Sequence, residues 1–72
     1  MFKQISKHTV RGRKATVWSS GARPASDGYH FTATLDRNGK AVRPAKDAHR
    51  SFDARWALDY LRRQIARNGG GR

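Results

Sequence analysis

Cysteine, glutamate and long apolar runs are all missing from this sequence. Without cysteine the chain has no disulfide, no cysteine-ligated zinc site and no thiol nucleophile, and this absence fits a reducing compartment. No apolar run is long enough to span a bilayer, and the amino-terminal residues lack the apolar core of a signal peptide. We therefore expect a cytoplasmic protein that does not bind the membrane.

The shortness of the chain is a further limit, because 72 residues leave no room for a deep catalytic cleft. We expect one small basic domain over residues 1–68 and a disordered tail over residues 69–72. His8, His30 and His49 lie in different segments without metal-ligand spacing, and no glutamate is present to act as a general base. The sequence therefore predicts no enzyme, no metal and no cofactor.

Positive charge is what the sequence has in excess. It contains 16 Lys and Arg against 5 acids, all of them aspartate, and the formal net charge is +11. So large a charge on so small a body attracts polyanions at long range, so nucleic acid is the first candidate partner and an acidic protein surface the second. The excess of arginine over lysine favours planar, bidentate recognition of phosphate or guanine. A GC-rich genome would produce the same arginine bias without any functional cause.

Only residues 51–67 have apolar side chains at helical spacing over several turns. With about 100° of rotation per residue, one core-facing stripe is formed by Ala54, Leu58, Leu61 and Ile65. Ser51 is predicted to be the N-cap, and Asp53 to place negative charge in the first turn. The spacing thus predicts one amphipathic helix at the carboxy-terminal end of the domain.

Trp56 falls on the opposite side of this helix, about 160° from the centre of the stripe. We expect an exposed indole, and two interpretations of it stay open. Either the amino-terminal segment or an arginine covers the ring, or the ring anchors a protein partner or a second copy of the chain. In the second case the predicted interface consists of Arg55, Trp56, Arg63 and Arg67.

The chain before the helix alternates polar and apolar residues with the period of a β-strand. Strands are predicted over residues 15–20, 29–36 and 40–43, and a short strand or an arm over residues 1–10. Asn38-Gly39 predicts a tight hairpin turn with positive φ angles. Residues 21–28 are predicted to form a long, mobile loop.

Together these elements predict an α+β fold, in which an antiparallel sheet packs on one carboxy-terminal helix. The sheet has three strands, or four if the amino-terminal segment joins it. The predicted core consists of Val17, Phe31, Ala33, Leu35, Val42, Leu58, Leu61 and Ile65. The opposite sheet face and the turns are expected to stay in water. They carry the predicted nucleic-acid-binding residues Arg11, Arg13, Lys14, Thr16, Trp18, His30, Thr32, Arg37, Lys40 and Arg43.

Three short strands, a basic aromatic sheet and the helix entry Ser51-Phe52-Asp53-Ala54 leading to Ala57 resemble a known family. They are similar to the arm-binding amino-terminal domains of phage tyrosine integrases and, more distantly, to plant ethylene-response DNA-binding domains. The resemblance covers residues 14–67 and implies that the sheet enters the major groove of DNA with the helix behind it. It implies DNA contacts by Lys14, Thr16, Trp18, His30, Thr32, Arg37 and Arg43. It does not imply integration activity.

The sequence therefore predicts a small nucleic-acid-binding protein, an accessory factor of a phage or mobile element. Double-stranded DNA is the favoured ligand, and RNA stays open because Trp18, Tyr29 or His30 could stack on unpaired bases. The alternative is a phage-type inhibitor or adaptor that binds an acidic protein partner through the outer face of the helix. Trp56 would then anchor that partner, or a homodimer.

Overall fold

A three-stranded antiparallel sheet packs on a single helix in the computed structural model, which describes residues 2–20 and 30–67. The elements are β1 (Lys3–Val10), β2 (Arg13–Ser19), β3 (Phe31–Leu35) and α1 (Ala54–Arg67), and the strand order is β1-β2-β3. The predicted α+β fold is confirmed. The predicted loop over residues 21–28 and the predicted tail over residues 69–72 lie outside the described residues.

The amino-terminal segment, predicted as a strand or an arm, is the edge strand β1. It pairs with β2 from Lys3 and Ser19 to Val10 and Arg13. A register shift between Gln4 and Ser6 interrupts this ladder. Such a bulge inserts one extra residue and reverses the alternation of faces, so β1 shows no single period in the sequence.

Residues 40–43, predicted as a third strand, do not form one. Their contact with the preceding residues is an isolated backbone bridge between Arg37 and Lys40. Beyond it the carbonyl of Val42 accepts a hydrogen bond from the Thr34 hydroxyl (2.6 Å) instead of a backbone amide of a ladder. Val42 is 38% exposed, so its predicted place in the core is wrong.

Two tight turns have positive φ at both central residues. Arg11 and Gly12 have φ angles of 50° and 80°, and Asn38 and Gly39 have 54° and 78°. Type I′ hairpin turns require this geometry, and Asn-Gly is the pair that adopts it most readily. The predicted turn at Asn38-Gly39 is confirmed. Arg11 has the same left-handed conformation. It lacks the short polar side chain that lowers the energetic cost of this conformation at Asn38.

Asp53, and not Ser51 as predicted, caps the helix. The Asp53 carboxylate accepts a hydrogen bond from the backbone N–H of Trp56 (2.8 Å), and its carbonyl accepts the N–H of Ala57 (3.1 Å). Ser51 is buried and exchanges two backbone hydrogen bonds with Phe31 (2.6 and 3.1 Å). Both residues are good N-caps, but this pairing holds Ser51 at the outer edge of β3, two residues before the cap.

The helix covers one face of the sheet and forms the main core there. Val10, Ala15 and Ile65 are buried together, and three half-buried leucines pack around them: Leu35, Leu58 and Leu61. Ile65 lies close to the carboxy-terminal end of α1, whereas Val10 and Ala15 are near the turn between β1 and β2. This contact places the carboxy-terminal end of the helix at the same end of the sheet as that turn.

The opposite face of the sheet is also covered, so the prediction that it stays in water is wrong. Trp18 is 3% exposed, and Thr16 and Thr32 are buried as well. The indole N–H of Trp18 donates a hydrogen bond to Thr34 (2.9 Å), and the Arg43 guanidinium lies 5.4 Å from the centroid of the Trp18 ring. The segment around residues 42–50 therefore crosses this face.

Two contacts attach this covering segment to the amino-terminal end of the chain. Arg43 donates a hydrogen bond to the backbone carbonyl of Phe2 (2.9 Å), and the Arg50 guanidinium lies 5.4 Å from the centroid of the Phe2 ring. Pro44 is buried between these contacts along the chain. The second face is thus a small core of its own, built around Trp18.

The strain at Arg11 leads to a first prediction. We expect Arg11→Asn to raise the free energy of unfolding by about 1 kcal/mol, because asparagine tolerates the left-handed conformation better than arginine. Asn38→Arg is the matched reverse change and should lower it by a similar amount. Urea unfolding followed by circular dichroism measures both. A stability that is unchanged or lower in Arg11→Asn would show that this turn is not strained.

The burial of Trp18 leads to a second prediction. Truncating a buried aromatic ring costs about 3–5 kcal/mol, and a domain of this size has only a few kcal/mol of stability. We therefore expect Trp18→Ala to be unfolded at 25 °C by circular dichroism. Trp18→Phe, which keeps a ring in place, should stay folded. A Trp18→Ala variant as stable as the parent chain would contradict a core on this face.

Candidate functional site

Both tight turns project from the same end of the sheet. The last pairs of the two ladders are Val10 with Arg13 and Ala15 with Leu35. The backbone N–H of Asp36 then donates a hydrogen bond to the carbonyl of Lys14 (3.0 Å), directly before the second turn. Since Ile65 brings the end of the helix to the same place, several cations come together there. We call this surface the basic end and define it by the exposed residues Arg11, Arg13, Lys14, Arg37, Lys40 and Arg67.

The charges of the basic end are not neutralised by the part of the chain that the structure describes. The described residues form two ion pairs, Lys7 with Asp36 (2.8 Å) and Arg63 with Asp59 (3.0 Å). Neither pair includes a cation of the basic end. At an exposed surface, cations without an ion-pair partner attract an anionic ligand. The basic end is therefore the strongest candidate binding surface for a polyanion.

Asp36, the acid next to the basic end, already has two partners. One carboxylate oxygen accepts a hydrogen bond from Lys7 and the other from the Thr16 hydroxyl, both at 2.8 Å, and Lys7 also donates to Thr16 (2.8 Å). These hydrogen bonds, from Lys7 first and then from Thr16, lower the pKa of Asp36, and the nearby charges of Lys7 and Lys14 act in the same direction.

The Lys7-Thr16-Asp36 network also has a mechanical consequence. The Asp36 side chain is 6% exposed and joins side chains of β1 and β2 at the point where β3 ends. The turn that follows carries Arg37 and Lys40. The network therefore holds this turn in a fixed position relative to the turn at Arg11.

Five of the ten residues predicted to bind nucleic acid come together at the basic end: Arg11, Arg13, Lys14, Arg37 and Lys40. Three others are buried on the covered face: Thr16, Trp18 and Thr32. The last two, His30 and Arg43, are placed elsewhere. His30 accepts the backbone hydrogen bond of Ser20 (2.9 Å), beyond the opposite end of β2. Arg43 lies over the Trp18 ring.

The His30 ring is partly buried beside Phe31, with 4.3 Å between the ring centroids. Its Nδ1 atom is buried and has no hydrogen-bond partner among the described residues. An imidazole in this position has little surface left for a base or a phosphate. His30 therefore does not extend the candidate site.

Arg67, predicted as part of a protein interface, is also the last residue of α1, and Ile65 brings this end of the helix to the basic end. Sequence reasoning missed this because apolar spacing shows which side of a helix faces the core but not in which direction the helix runs along the sheet. The other three residues of that predicted interface, Arg55, Trp56 and Arg63, are exposed on the outer face of α1. Trp56 is 60% exposed, so the interpretation in which the amino-terminal segment covers it is wrong.

Within residues 2–20 and 30–67, no group of three or more metal-ligating side chains comes together. In the same residues no helix has both the length and the apolar character needed to cross a bilayer.

Comparison with known proteins finds no relative. No protein-family model, no curated protein and no solved structure matches the chain. The resemblance to the arm-binding domains of phage integrases therefore stays a prediction, and the candidate site has to be judged on its own chemistry.

The Asp36 network leads to a pH-dependence prediction. Because the pKa of Asp36 is lower in the folded chain than in the unfolded chain, its carboxylate stabilises the fold above the unfolded value of about 3.9. This stabilisation is lost as the pH falls through the lower, folded-state pKa. We expect Asp36→Asn to reduce stability at pH 7 and to show a smaller further loss between pH 5 and pH 2 than the parent chain.

Urea unfolding at several pH values measures this difference. Asp47→Asn is the control, because it removes an exposed carboxylate from the covering segment. It should leave both the stability at pH 7 and the acid dependence close to those of the parent chain. Identical pH profiles for Asp36→Asn and the parent chain would contradict a stabilising role for the network.

Proposed function

We propose that this protein binds nucleic acid through the basic end and that double-stranded DNA is its favoured ligand. The observation that carries this proposal is the gathering of six exposed cations, none of them in an ion pair among the described residues, at one end of a body with a net charge of +11. Such a surface attracts a polyanion at long range and orients it before contact.

The turns suit phosphate recognition. Arginine presents a planar fork of donors that bonds two phosphate oxygens at once, and lysine adds a compact charge. Both kinds of residue lie in or beside the two type I′ turns, whose backbone is fixed by the sheet and by the Asp36 network. Cations held in place in this way lose less conformational entropy on binding than cations on a flexible tail.

Phosphate contacts position a protein on DNA, whereas base contacts provide sequence specificity. The sheet face that would read bases in an integrase-like complex is covered here, because Thr16, Trp18 and Thr32 are buried. We therefore propose that the end of the sheet, and not its face, meets the DNA. Binding is then dominated by phosphates and tolerates changes in base sequence.

The composition of the basic end favours a duplex over a single strand at this surface. Proteins that bind single strands combine cations with exposed aromatic rings on which bases stack. Residues 11–14 and 36–40, which form the two turns and their flanks, include no aromatic residue. A cytoplasmic role as an accessory factor of a phage or mobile element is part of the proposal, and the resemblance of the strand and helix pattern to integrase arm-binding domains supports it.

Salt dependence tests this proposal. A fluorescein-labelled duplex of 20 base pairs is titrated with protein at several salt concentrations and followed by anisotropy. If all six cations of the basic end neutralise phosphates, the logarithm of the binding constant falls with that of salt with a slope of about −5. Structured RNA as a competitor measures the preference for DNA. Binding that does not weaken between 50 and 200 mM salt would overturn the proposal.

A matched pair of double variants locates the surface. Lys14→Ala with Lys40→Ala removes two lysines from the basic end, and Lys3→Ala with Lys46→Ala removes two exposed lysines elsewhere. We expect the first pair to reduce the magnitude of the salt slope by about 2, and the second to leave it nearly unchanged. Equal effects of the two pairs would show that only the overall charge matters and that the basic end is not the site.

A further inference from the structure

Trp56 is a large apolar side chain that the fold leaves in water. It is 60% exposed on the outer face of α1, whereas the other tryptophan, Trp18, is 3% exposed. Trp56 lines a groove on each of its two sides. The first groove includes His8, Arg55 and Arg62, and the second includes His49, Tyr60 and Arg63. An exposed indole with open space on both sides is typical of a binding site.

The second groove already contains a flat stack of two rings. The rings of His49 and Tyr60 are 3.7 Å apart between centroids and nearly parallel, at 7°. This stack forms one wall of the groove, and the Trp56 side chain lines the same groove. Aromatic side chains from the helix and from the segment before it therefore line this groove together.

The charge around Trp56 fits an anionic ligand. Arg55 and Arg62 are exposed in the first groove and Arg63 in the second. Asp59 borders both grooves, and its carboxylate is paired with Arg63 (3.0 Å). A ligand that approaches Trp56 thus meets an acid that is already paired and, in the first groove, two guanidinium groups with no ion pair among the described residues.

We propose that Trp56 is a stacking site for an unpaired nucleobase of a single-stranded segment, with Arg55 and Arg62 contacting the phosphates beside that base. Stacking on aromatic rings next to cations is the general way in which proteins hold single strands. This inference rests on the proposed function, because the basic end supplies the duplex contact to which the Trp56 site is added.

The two sites are close enough for one nucleic acid to reach both. Trp56 precedes the carboxy-terminal residue of α1, Arg67, by 11 residues, which corresponds to about 16 Å along a helix. A single-stranded overhang of ten nucleotides spans this distance. A duplex with such an overhang should bind more tightly than the duplex or the single strand alone, because the second contact becomes intramolecular.

Two other occupants fit the observations less well. A second copy of the chain would bring another charge of +11 against the first, and the two would repel each other at long range. An acidic protein segment would match the charge, but its carboxylates would not be attracted to the indole face, which is the negative part of the ring quadrupole. Both occupants are outcomes of the test below.

The test compares single-stranded (dT)12, a 20-base-pair duplex and the same duplex with a ten-nucleotide overhang. We expect Trp56→Ala to weaken binding of (dT)12 by about tenfold, the loss of one stacked base, and to change duplex binding by less than twofold. Trp56→Phe keeps a ring and should recover part of the loss. Ile5→Ala, which removes another exposed apolar side chain, is the control and should affect neither ligand.

Fluorescence identifies the ring directly. In a Trp18→Phe background Trp56 is the sole tryptophan, and stacking of a base should quench its emission in a saturable way. The affinity comparison above uses the parent chain and does not depend on this background. Unchanged (dT)12 affinity in Trp56→Ala would overturn the proposal, as would an equal loss for duplex and single strand.

The competing occupants have their own signatures. A sedimentation mass of two chains that falls to one in Trp56→Ala would show a homodimer interface instead. Quenching by a 12-residue polyglutamate peptide as strong as that by (dT)12 would show recognition of negative charge, as expected for an acidic protein partner. Either result would overturn base stacking. If the protein binds (dT)12 through Trp56 but does not bind the duplex, the proposed function is overturned and the Trp56 site is not.

Discussion

A three-stranded sheet has two faces, and this chain has one helix with which to cover them. The helix buries the face that carries Val10 and Ala15. Trp18 lies on the other face and would be a large apolar surface in water if nothing covered it. The segment around residues 42–50 covers this face. The contacts on this face are hydrogen bonds and an arginine over the indole instead of an apolar stripe. With both faces covered, the end of the sheet that carries the two turns and the outer side of the helix are the described surfaces at which we propose binding.

The distribution of acids leads to the same two surfaces. Asp36 accepts hydrogen bonds from Lys7 and Thr16, Asp53 caps the helix, and Asp59 pairs with Arg63. Each of these carboxylates stabilises local structure, so none is available to neutralise the cations in the turns. These three carboxylates therefore stabilise the fold, while the cations of the basic end are exposed.

Local features of the fold could be predicted from the sequence, because each depends on neighbouring residues. The apolar stripe of α1, the turn at Asn38-Gly39 and the exposure of Trp56 all follow from spacing or from one residue pair. The side of β2 on which Trp18 points was also predicted correctly, opposite to Val17. What the pattern could not show is that Arg43 and the segment around it lie over that ring.

The predictions that failed depend on features that the local sequence pattern does not show. Strand β1 could not be recognised with certainty from the sequence. The bulge between Gln4 and Ser6 inserts one residue, which interrupts the alternation of polar and apolar residues that predicts a strand. Ser51 and Asp53 are equally good caps, and only the pairing of Ser51 with Phe31 decides between them. Five of the ten predicted binding residues lie together because they are in or beside the two turns, whose position at the end of a sheet follows from the pairing of the strands.

Fold stability and ligand binding are coupled in such a molecule. The cations of the basic end repel one another, and Arg11 holds a left-handed conformation, so the surface proposed for binding also weakens the isolated fold. A phosphate backbone placed there removes the repulsion, and a ligand that binds only the folded state stabilises it in proportion to the logarithm of its concentration. The Asp36 network opposes the same repulsion from inside the domain, since it fixes one turn to the two strands that carry the other. Under the proposed function the domain is therefore most stable when a polyanion occupies its turns, because the ligand removes the charge repulsion there.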